Sequence, residues 1–468
     1  MERRSCCFGR NTYTSVIRKS LHIGNLSPYL TSYMRKYGSA PSLTYTECAW
    51  IYALVIMCQG TTVILGGIIE RYIGPKITVL LGCWCMSLGV LLTYFSVKHS
   101  FALTVVTYGA IFGFGVGIAY AIPLACAMRW FPEWKGLVNG FVVAGFGGGA
   151  FIFDQVQTAF INPNNLKPDL EVDGDKYFSQ DDVLDQVPWM FLLLGGCYTV
   201  MQLIGSLLLC NPPPLEVTIV YHKQHSNSGT VEEDNERTAI LSDTDTQQLI
   251  LPSPESAQPV NNQETVPEDD VTVHPLRVLR SKHFYFIWLM FVFNGQGSTF
   301  VSTLYKAYGQ TFISDDTFMG VVGSFAALFN AFGRIMWGSI ADRFSFRVSS
   351  LIMCACFTCL MLTLQLSERG GKALFFVYVC LLFGSFSGSY SLFPTATAKC
   401  FGRKYLPINY GLVFTSQIIT APIGVFMSQK LKSSLGWDGL FFLVAGCSFV
   451  SFLLSMLFSG KDRKGKEI

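Results

Sequence analysis

Long apolar runs, each about long enough to cross a bilayer, follow one another along most of this chain. A helix that spans the hydrocarbon core needs about 20 mostly apolar residues. Eleven segments meet that requirement, and they lie at 47–69, 77–96, 101–127, 137–160, 188–209, 283–305, 317–338, 348–366, 373–397, 408–429 and 437–459. A further stretch at 21–34 has only 14 residues, so we expect a first helix that is incomplete.

One polar segment interrupts this pattern near the middle of the chain. Residues 210–280 are rich in Pro, Ser, Thr, Gln, Asp and Glu and almost free of aromatic side chains. That composition is typical of disordered chain. The pattern therefore predicts an N-terminal transmembrane bundle at 1–209, a disordered cytoplasmic linker at 210–280 and a C-terminal transmembrane bundle at 281–468.

Short motifs repeat between the two apolar halves at a nearly constant spacing. GGIIER (66–71) returns as GSIADR (338–343), and GFGVGIAYAIP (113–123) returns as GSFSGSYSLFP (384–394). Two matches at nearly one offset indicate a duplicated unit of about six helices. Parallel repeats of this size build large secondary transporters, whose substrate binds between the halves near the bilayer midplane.

Composition supports a membrane protein and narrows its function. Of the 468 residues, 50% are hydrophobic and 14% are charged, and the mean hydropathy is +0.39. The net charge of +3 gives no basic surface for nucleic acid. We find no phosphate-binding loop, no catalytic constellation and no metal-ligand spacing, so we predict neither an enzyme nor a cofactor. Most of the 15 cysteines lie in apolar runs, where a thiol packs as a small hydrophobe.

The distribution of Lys and Arg predicts the orientation. Both termini, the linker and the GGIIER and GSIADR turns carry most of the basic residues, and the positive-inside rule makes that side cytoplasmic. ERTAIL (236–241) approximates an acidic dileucine sorting signal. We therefore expect a multi-pass protein of the plasma membrane or an endolysosomal membrane, with cytoplasmic termini.

Arg334 is unusual because it lies deep inside an apolar run. It precedes Asp342, at the predicted membrane edge, by eight residues, or about 12 Å at 1.5 Å per residue. A buried arginine costs at least about 2.5 to 3.5 kcal/mol, so it needs an anion and a cavity. Its repeat equivalent is Thr62, so the shared architecture does not require a cation. Two anions fit: a substrate carboxylate, which we favour, or an acid from the other half.

Further polar side chains at depth extend the predicted substrate site. Asn330 lies one helical turn before Arg334 and is placed to orient it. Gln417 lies about 15 Å into its span and can donate to a substrate oxygen. The other candidates are Tyr120, Tyr390, Asn294, Gln296, Asn25 and Tyr29. For Tyr120 and Tyr390, helix packing explains the residue equally well.

Acid and arginine pairs in the repeated turns have a different predicted role. Glu70 with Arg71, and Asp342 with Arg343, close the two copies of the first motif. Such pairs can cap helix ends and latch neighbouring helices, and the glycine four residues earlier permits close packing. We expect them, together with Arg129, to be structural and gating residues.

Four segments resemble a known family. MRWFPEWKGLVNGFVVAGFGGGAF (128–151), GNLSPYLTSY (24–33), GRIMWGSIADRF (333–344) and NYGLVFTSQ (409–417) are similar to the oxalate/formate antiporter family, related to monocarboxylate transporters within the major facilitator superfamily. The resemblance implies an all-α membrane protein of that fold, with two six-helix bundles and alternating access. It also implies that Arg334 binds the substrate carboxylate.

One departure from the family pattern bears on the substrate. Bacterial oxalate carriers have a lysine in the motif aligned with NYGLVFTSQ, where this chain has Gln417. A single fixed cation favours a monocarboxylate over a dianion. We therefore predict a secondary active transporter of small organic anions, working by proton symport or anion exchange within the lipid bilayer. The alternative is a membrane sensor or scaffold that keeps the fold without transporting.

Overall fold

The computed structural model describes residues 23–38, 40–164, 166–172, 175–212, 272–313, 315–427 and 431–460. Most of the predicted linker, from 213 to 271, lies outside the described residues. The rest is almost entirely helical, as the apolar runs predict. A two-stranded antiparallel hairpin, β1 (Leu170–Val172) and β2 (Asp175–Tyr177), pairs Leu170 with Tyr177.

Five helices form the first half of the chain: α1 (Ile23–Lys36), α2 (Tyr45–His99), α3 (Phe101–Trp130), α4 (Lys135–Ile161) and α5 (Asp181–Leu207). The continuous α2 contains two predicted spans, because the chain bends at Gly74, whose φ of 79° suits glycine, and continues at Pro75. A π-helical segment, Val105–Ile111, interrupts α3. A break at Asp185 divides α5 into Asp181–Leu184 and Gln186–Leu207.

Six helices form the second half: α6 (Lys282–Gly309), α7 (Asp316–Arg343), α8 (Phe346–Thr363), α9 (Gly371–Phe401), α10 (Leu406–Phe426) and α11 (Lys432–Leu457). Single helical turns at Pro275–Val278 and Leu366–Arg369 precede α6 and α9. Breaks near Ser387 and Thr415 divide α9 and α10. Each of the eleven predicted spans corresponds to a helix or, in α2, to half of one.

By length and composition, eight helices of the described chain can cross a membrane, with α2 counted once. The two halves meet in one compact unit, mainly through α4 against α7 and α2 against α10. Glycines allow these backbones to touch. A Cβ on Gly338 would lie 2.1 Å from the Gly136 carbonyl oxygen, and one on Gly67 would lie 2.7 Å from the Ile408 nitrogen. Such small-residue contacts are the usual means of close helix packing in membranes.

The loop between α4 and α5 (162–180) holds α1 at its C-terminal end. The Tyr29 ring stacks on Phe178 with centroids 4.9 Å apart, and the Phe178 amide donates to the Ser32 hydroxyl at 3.0 Å. The Arg35 guanidinium lies 4.4 Å from the Tyr177 ring centroid, and Lys36 pairs with Asp181. The described α1 has only 14 residues, so these contacts anchor much of its length.

Replacing Gly338 by alanine tests the backbone contact between α4 and α7. The added methyl group would meet the Gly136 carbonyl, and overpacking of this kind costs about 1 to 3 kcal/mol. We therefore expect Gly338→Ala to lower the thermal unfolding temperature of the purified protein. Gly320→Ala is the matched control on the same helix, since its Cβ would meet nothing within 4 Å. Equal melting temperatures for the two variants would contradict the close approach.

Candidate functional site

Arg334 lies where the two halves of the chain meet. It belongs to α7, is 5% exposed, and donates from Nη1 to the Val143 carbonyl oxygen of α4 at 3.0 Å. Its guanidinium carbon stands 4.9 Å from the centroid of the Tyr390 ring of α9. The guanidinium thus contacts a backbone carbonyl of the first half and an aromatic face of the second half. Both contacts stabilise a positive charge.

The Tyr390 hydroxyl connects this arginine to a second polar group. It lies 3.0 Å from the Ser298 hydroxyl of α6, and either oxygen can be the donor. Ser298 is 5% exposed, whereas Tyr390 is only half-buried. Ser298 was not among the predicted site residues, although it directly follows the segment NGQG (294–297), which contains the candidates Asn294 and Gln296. The structure thus brings Arg334, Tyr390 and Ser298 together from three helices.

Asn330 makes its contact with another helix. It lies one turn before Arg334 on α7, and its Nδ2 donates to the Phe383 carbonyl oxygen of α9 at 3.5 Å. That bond fixes the amide against the same helix that carries Tyr390. Whether the amide also orients a bound anion stays a prediction.

The other amides predicted at the site lie at two different contacts of α6, one with α10 and one with α8. Gln417 donates to the Phe291 carbonyl oxygen at 3.5 Å, and Gln296 donates to the Thr420 carbonyl oxygen at 3.4 Å. Both therefore lie where α6 meets α10. Asn294 instead faces α8, where its Oδ1 accepts from the Cys354 thiol at 3.4 Å. These positions separate Asn294 from the two glutamines.

Two further candidates belong to α1. Tyr29 is 8% exposed and stacks on Phe178 of the loop between α4 and α5. Asn25 lies within α1, but its side chain is outside the described part of the structure. Their role in substrate binding stays a prediction.

Aromatic rings form a chain from Tyr120 in the first half to Tyr390 in the second. The Tyr120 ring lies 5.2 Å from Phe414 between centroids, Phe414 lies 5.8 Å from Phe291, and Phe291 lies 6.2 Å from Tyr390. Tyr120 also approaches Tyr410 at 6.1 Å. The rings fill the space between α3, α6, α9 and α10 beside the arginine, so Tyr120 packs across the boundary between the halves.

Asp342 caps a helix of the opposite half. Its carboxylate accepts the Gly136 amide at 2.9 Å and the Leu137 amide at 2.7 Å, in the first turn of α4, where Trp134 supplies no side-chain cap. The Lys399 ammonium lies 3.8 Å away. A carboxylate at a helix N-terminus satisfies free N–H groups and complements the helix dipole. We call this contact, Asp342 with Gly136 and Leu137, the latch.

Glu70, the repeat equivalent of Asp342, bonds within its own half instead. Its carboxylate pairs with Arg129 at 2.8 Å. The chain itself explains the difference, because the residue equivalent to Gly136 is Pro407, which has no N–H to donate.

The two arginines that follow these acids also differ. Arg71 reaches across to the second half, with its guanidinium 4.5 Å from the Tyr405 ring centroid. Its repeat equivalent, Arg343, is exposed at the end of α7. Four of the five predicted gating residues thus contact another helix or turn at one end of the molecule.

Nothing in the described residues forms a metal site, since no three His, Cys, Asp or Glu side chains cluster there. The candidate residues themselves supply one guanidinium, hydroxyls, amides and aromatic faces. Such groups bind and orient an anion.

Comparison with known proteins places the chain among membrane transporters. The model of the Major Facilitator Superfamily matches residues 19–389 and 287–468. Apicoplast pyruvate carrier 1 of Toxoplasma gondii is 31% identical over 431 residues, covering 88% of this chain and 75% of that protein. The oxalate:formate antiporter of Oxalobacter formigenes is 22% identical over 391 residues, and the match covers 83% of this chain and 77% of the antiporter. The E. coli fucose:proton symporter FucP superposes with a TM-score of 0.62 at 14% identity, covering 97% of this chain and 98% of its own.

Removing the Asp342 carboxylate tests the latch. In Asp342→Ala the Gly136 and Leu137 amides lose charge-assisted hydrogen bonds, each worth about 1.5 to 3 kcal/mol. We therefore expect amide hydrogen exchange in the first turn of α4 to accelerate at least about 10-fold. The control is Asp315→Ala, which removes an ordinary cap from the start of α7, where Asp315 accepts the Phe318 amide at 3.0 Å. Unchanged exchange at α4 in Asp342→Ala would contradict the capping role.

Proposed function

Because this chain belongs to the major facilitator superfamily, we propose that it is a secondary active transporter that carries a small monocarboxylate by alternating access. The two halves of the chain would rock about a site at their boundary, as duplicated transporters do. In this proposal residues 1–209 and 281–468 are the two moving bundles, and 210–280 connects them on the cytoplasmic side.

One observation carries the proposal: the buried guanidinium of Arg334 at the boundary between the halves. A buried guanidinium can bind an anion that enters the boundary, and a carboxylate binds it more strongly than a carbonyl or a ring does because it bears a formal charge. A bound carboxylate would compete with Val143 for the guanidinium. Substrate binding would then change a contact between α4 and α7, which is how a ligand can bias two arrangements of the halves.

A monocarboxylate fits the charge of this site better than a dicarboxylate. Arg334 supplies one positive charge, and Gln417, at the contact of α6 and α10, is neutral. The similar Toxoplasma protein is called a pyruvate carrier, and pyruvate carries one negative charge. We therefore propose pyruvate or a close analogue as substrate, with Tyr390, Asn330 and Gln417 as further contacts. The remaining candidate contacts are Tyr120, Asn294, Gln296, Asn25 and Tyr29.

The latch would lie on the cytoplasmic side, because the turns around Asp342 and Glu70 carry the basic residues that favour that side. In the described structure the latch is closed. Each transport cycle would have to break it to release substrate into the cytoplasm. The membrane in which this takes place would be the plasma membrane or an endolysosomal membrane.

Coupling can follow either of two routes, proton symport or anion exchange. Proteoliposomes loaded with buffer alone or with an unlabelled monocarboxylate separate them. Uptake that requires an inward proton gradient supports symport, whereas uptake that requires internal anion supports exchange. If no labelled anion enters under either condition, the transport proposal fails and the sensor alternative gains support.

Arg334→Gln tests the assigned cation. The neutral amide cannot replace a charged partner of the carboxylate, so we expect kcat/KM for pyruvate uptake into proteoliposomes to fall by about 100-fold or more. Arg334→Lys keeps the charge but loses the planar fork, so its activity should lie between the two.

The control for this experiment is Arg347→Gln. Arg347 donates to the Met456 carbonyl oxygen at 2.7 Å, near the ends of α8 and α11 and away from the site. Its loss should change uptake little. If Arg334→Gln transports as well as the parent protein, the site assignment is wrong.

A further inference from the structure

An acidic side chain outside the candidate site lies on the face of α4 that meets α7. Asp154 follows Val143 by 11 residues, about three helical turns, so both lie on one face of the helix. On that face Val143 accepts from Arg334. Gln155, the residue after Asp154, donates to Ser324 of α7 at 3.0 Å. The half-buried Asp154 therefore lies at the boundary between the halves, about 16 Å from the level of Arg334 and away from the latch.

A tyrosine of the second half reaches the same level of the boundary. The Tyr305 hydroxyl of α6 lies against α7, since a Cβ on Gly323 would be 2.6 Å from its oxygen. Gly323 and Asp154 each adjoin the contact made by Gln155, so the hydroxyl and the carboxylate lie at one level. In agreement with this placement, the charge of Asp154 acts on the Tyr305 hydroxyl.

Two tyrosines of the first half face the same carboxylate. Tyr108, in the π-helical segment of α3, and Tyr198 of α5 are both buried and interact electrostatically with Asp154. The Tyr198 ring also packs on Phe153, with centroids 5.7 Å apart. Asp154 thus lies among hydroxyls that come from both halves.

The other ionisable groups of the helices around α4 lie in different contacts. Helix α7 has none between Asp316 and Arg334. Lys36 of α1 pairs with Asp181 of α5, and α9 holds Tyr390 beside Arg334 and Lys399 beside the latch. On α6, Lys306 follows Tyr305 and is half-buried. Lysine and tyrosine are already protonated at neutral pH, so Asp154 is the group that gains a proton at this part of the boundary when the pH falls.

We propose that this end of the boundary is a second gate and that protonation of Asp154 favours its closed state. The second gate consists of Asp154, Gln155, Tyr305 and Ser324. The inference rests on the proposed alternating access, in which the end opposite the latch must open to admit substrate. The proton comes from water while the gate is open and returns to water when the gate reopens.

The preference for the neutral acid follows from the cost of removing a carboxylate from water. When the gate closes, Asp154 exchanges part of its water for tyrosine hydroxyls and the surface of α7. A carboxylate loses more hydration free energy in that step than a carboxylic acid does. The closed state therefore binds the proton more tightly than the open state, and such a preference shifts the equilibrium toward the closed state.

Amide hydrogen exchange across the second gate tests this assignment. Asp154→Asn has nearly the shape of the protonated acid and cannot ionise, so it should keep the gate closed. At about pH 8 we expect the amides around Ser324 to exchange about 10-fold more slowly in this variant than in the parent protein. Comparison at one pH cancels the intrinsic pH dependence of exchange. At about pH 4 the difference should shrink toward zero, because the parent carboxyl becomes protonated.

Two further variants serve as controls. Asp154→Glu keeps an ionisable carboxyl and should follow the pH dependence of the parent protein. Asp182→Asn removes the same charge from an exposed position at the start of α5, so exchange around Ser324 should not change. If Asp154→Asn does not fold, Asp154→Ser also removes the charge and has the same expected result.

The exchange experiment needs no substrate, so its result is independent of the uptake assays that test transport. Equal exchange in the parent protein and Asp154→Asn at about pH 8 would show that the inference is wrong. A difference that persists unchanged at about pH 4 would assign the effect to packing and would also overturn it. Faster exchange in Asp154→Asn would mean that the charged form closes the gate, which is the opposite of the proposal.

Discussion

The close packing of α4 against α7 joins the two halves along most of the described bundle. At one end Asp342 caps the first turn of α4, and next to it the Gly136 and Gly338 backbones touch. Farther along, Arg334 donates to Val143. Near the other end Gln155 donates to Ser324 at 3.0 Å. The latch, the backbone contact and the candidate binding cation thus share one helix pair, so a change at any of them alters the packing that positions the others.

The second crossing, α2 against α10, uses the same small residues but a different polar arrangement. Gly67 and Gly411 bring the backbones together, yet Pro407 removes the amide that would complete a cap like that of Asp342. Glu70 turns to Arg129, and Arg71 reaches Tyr405. A carboxylate with two amides is a directional contact, whereas an arginine over a ring tolerates sliding. This asymmetry indicates that the α4 and α7 crossing is the more sharply defined of the two.

The periodic features were predictable because they follow from local physics. Bilayer thickness determines the length of an apolar run, so the spans could be read one by one, and the duplicated motifs revealed the repeat. Arg334 was identifiable because a cation in an apolar run is costly wherever its partner lies. Ser298 could not be identified in this way, because its place in a polar run does not show which neighbouring side chain it contacts. Its role depends on the rotation of α6, which Gly295 and Gly297 set through contacts with α10 and α8. The opposite directions of Asn294 and Gln296 could not be predicted for the same reason.

The two described contacts of Arg334 suit a site that must bind an anion and release it. A carbonyl oxygen and an aromatic face both stabilise a guanidinium, but neither carries a formal negative charge. They lower the cost of burying the cation without competing strongly against a carboxylate. The ring contact also ties the cation to a third helix, because the Tyr390 hydroxyl lies 3.0 Å from that of Ser298 on α6.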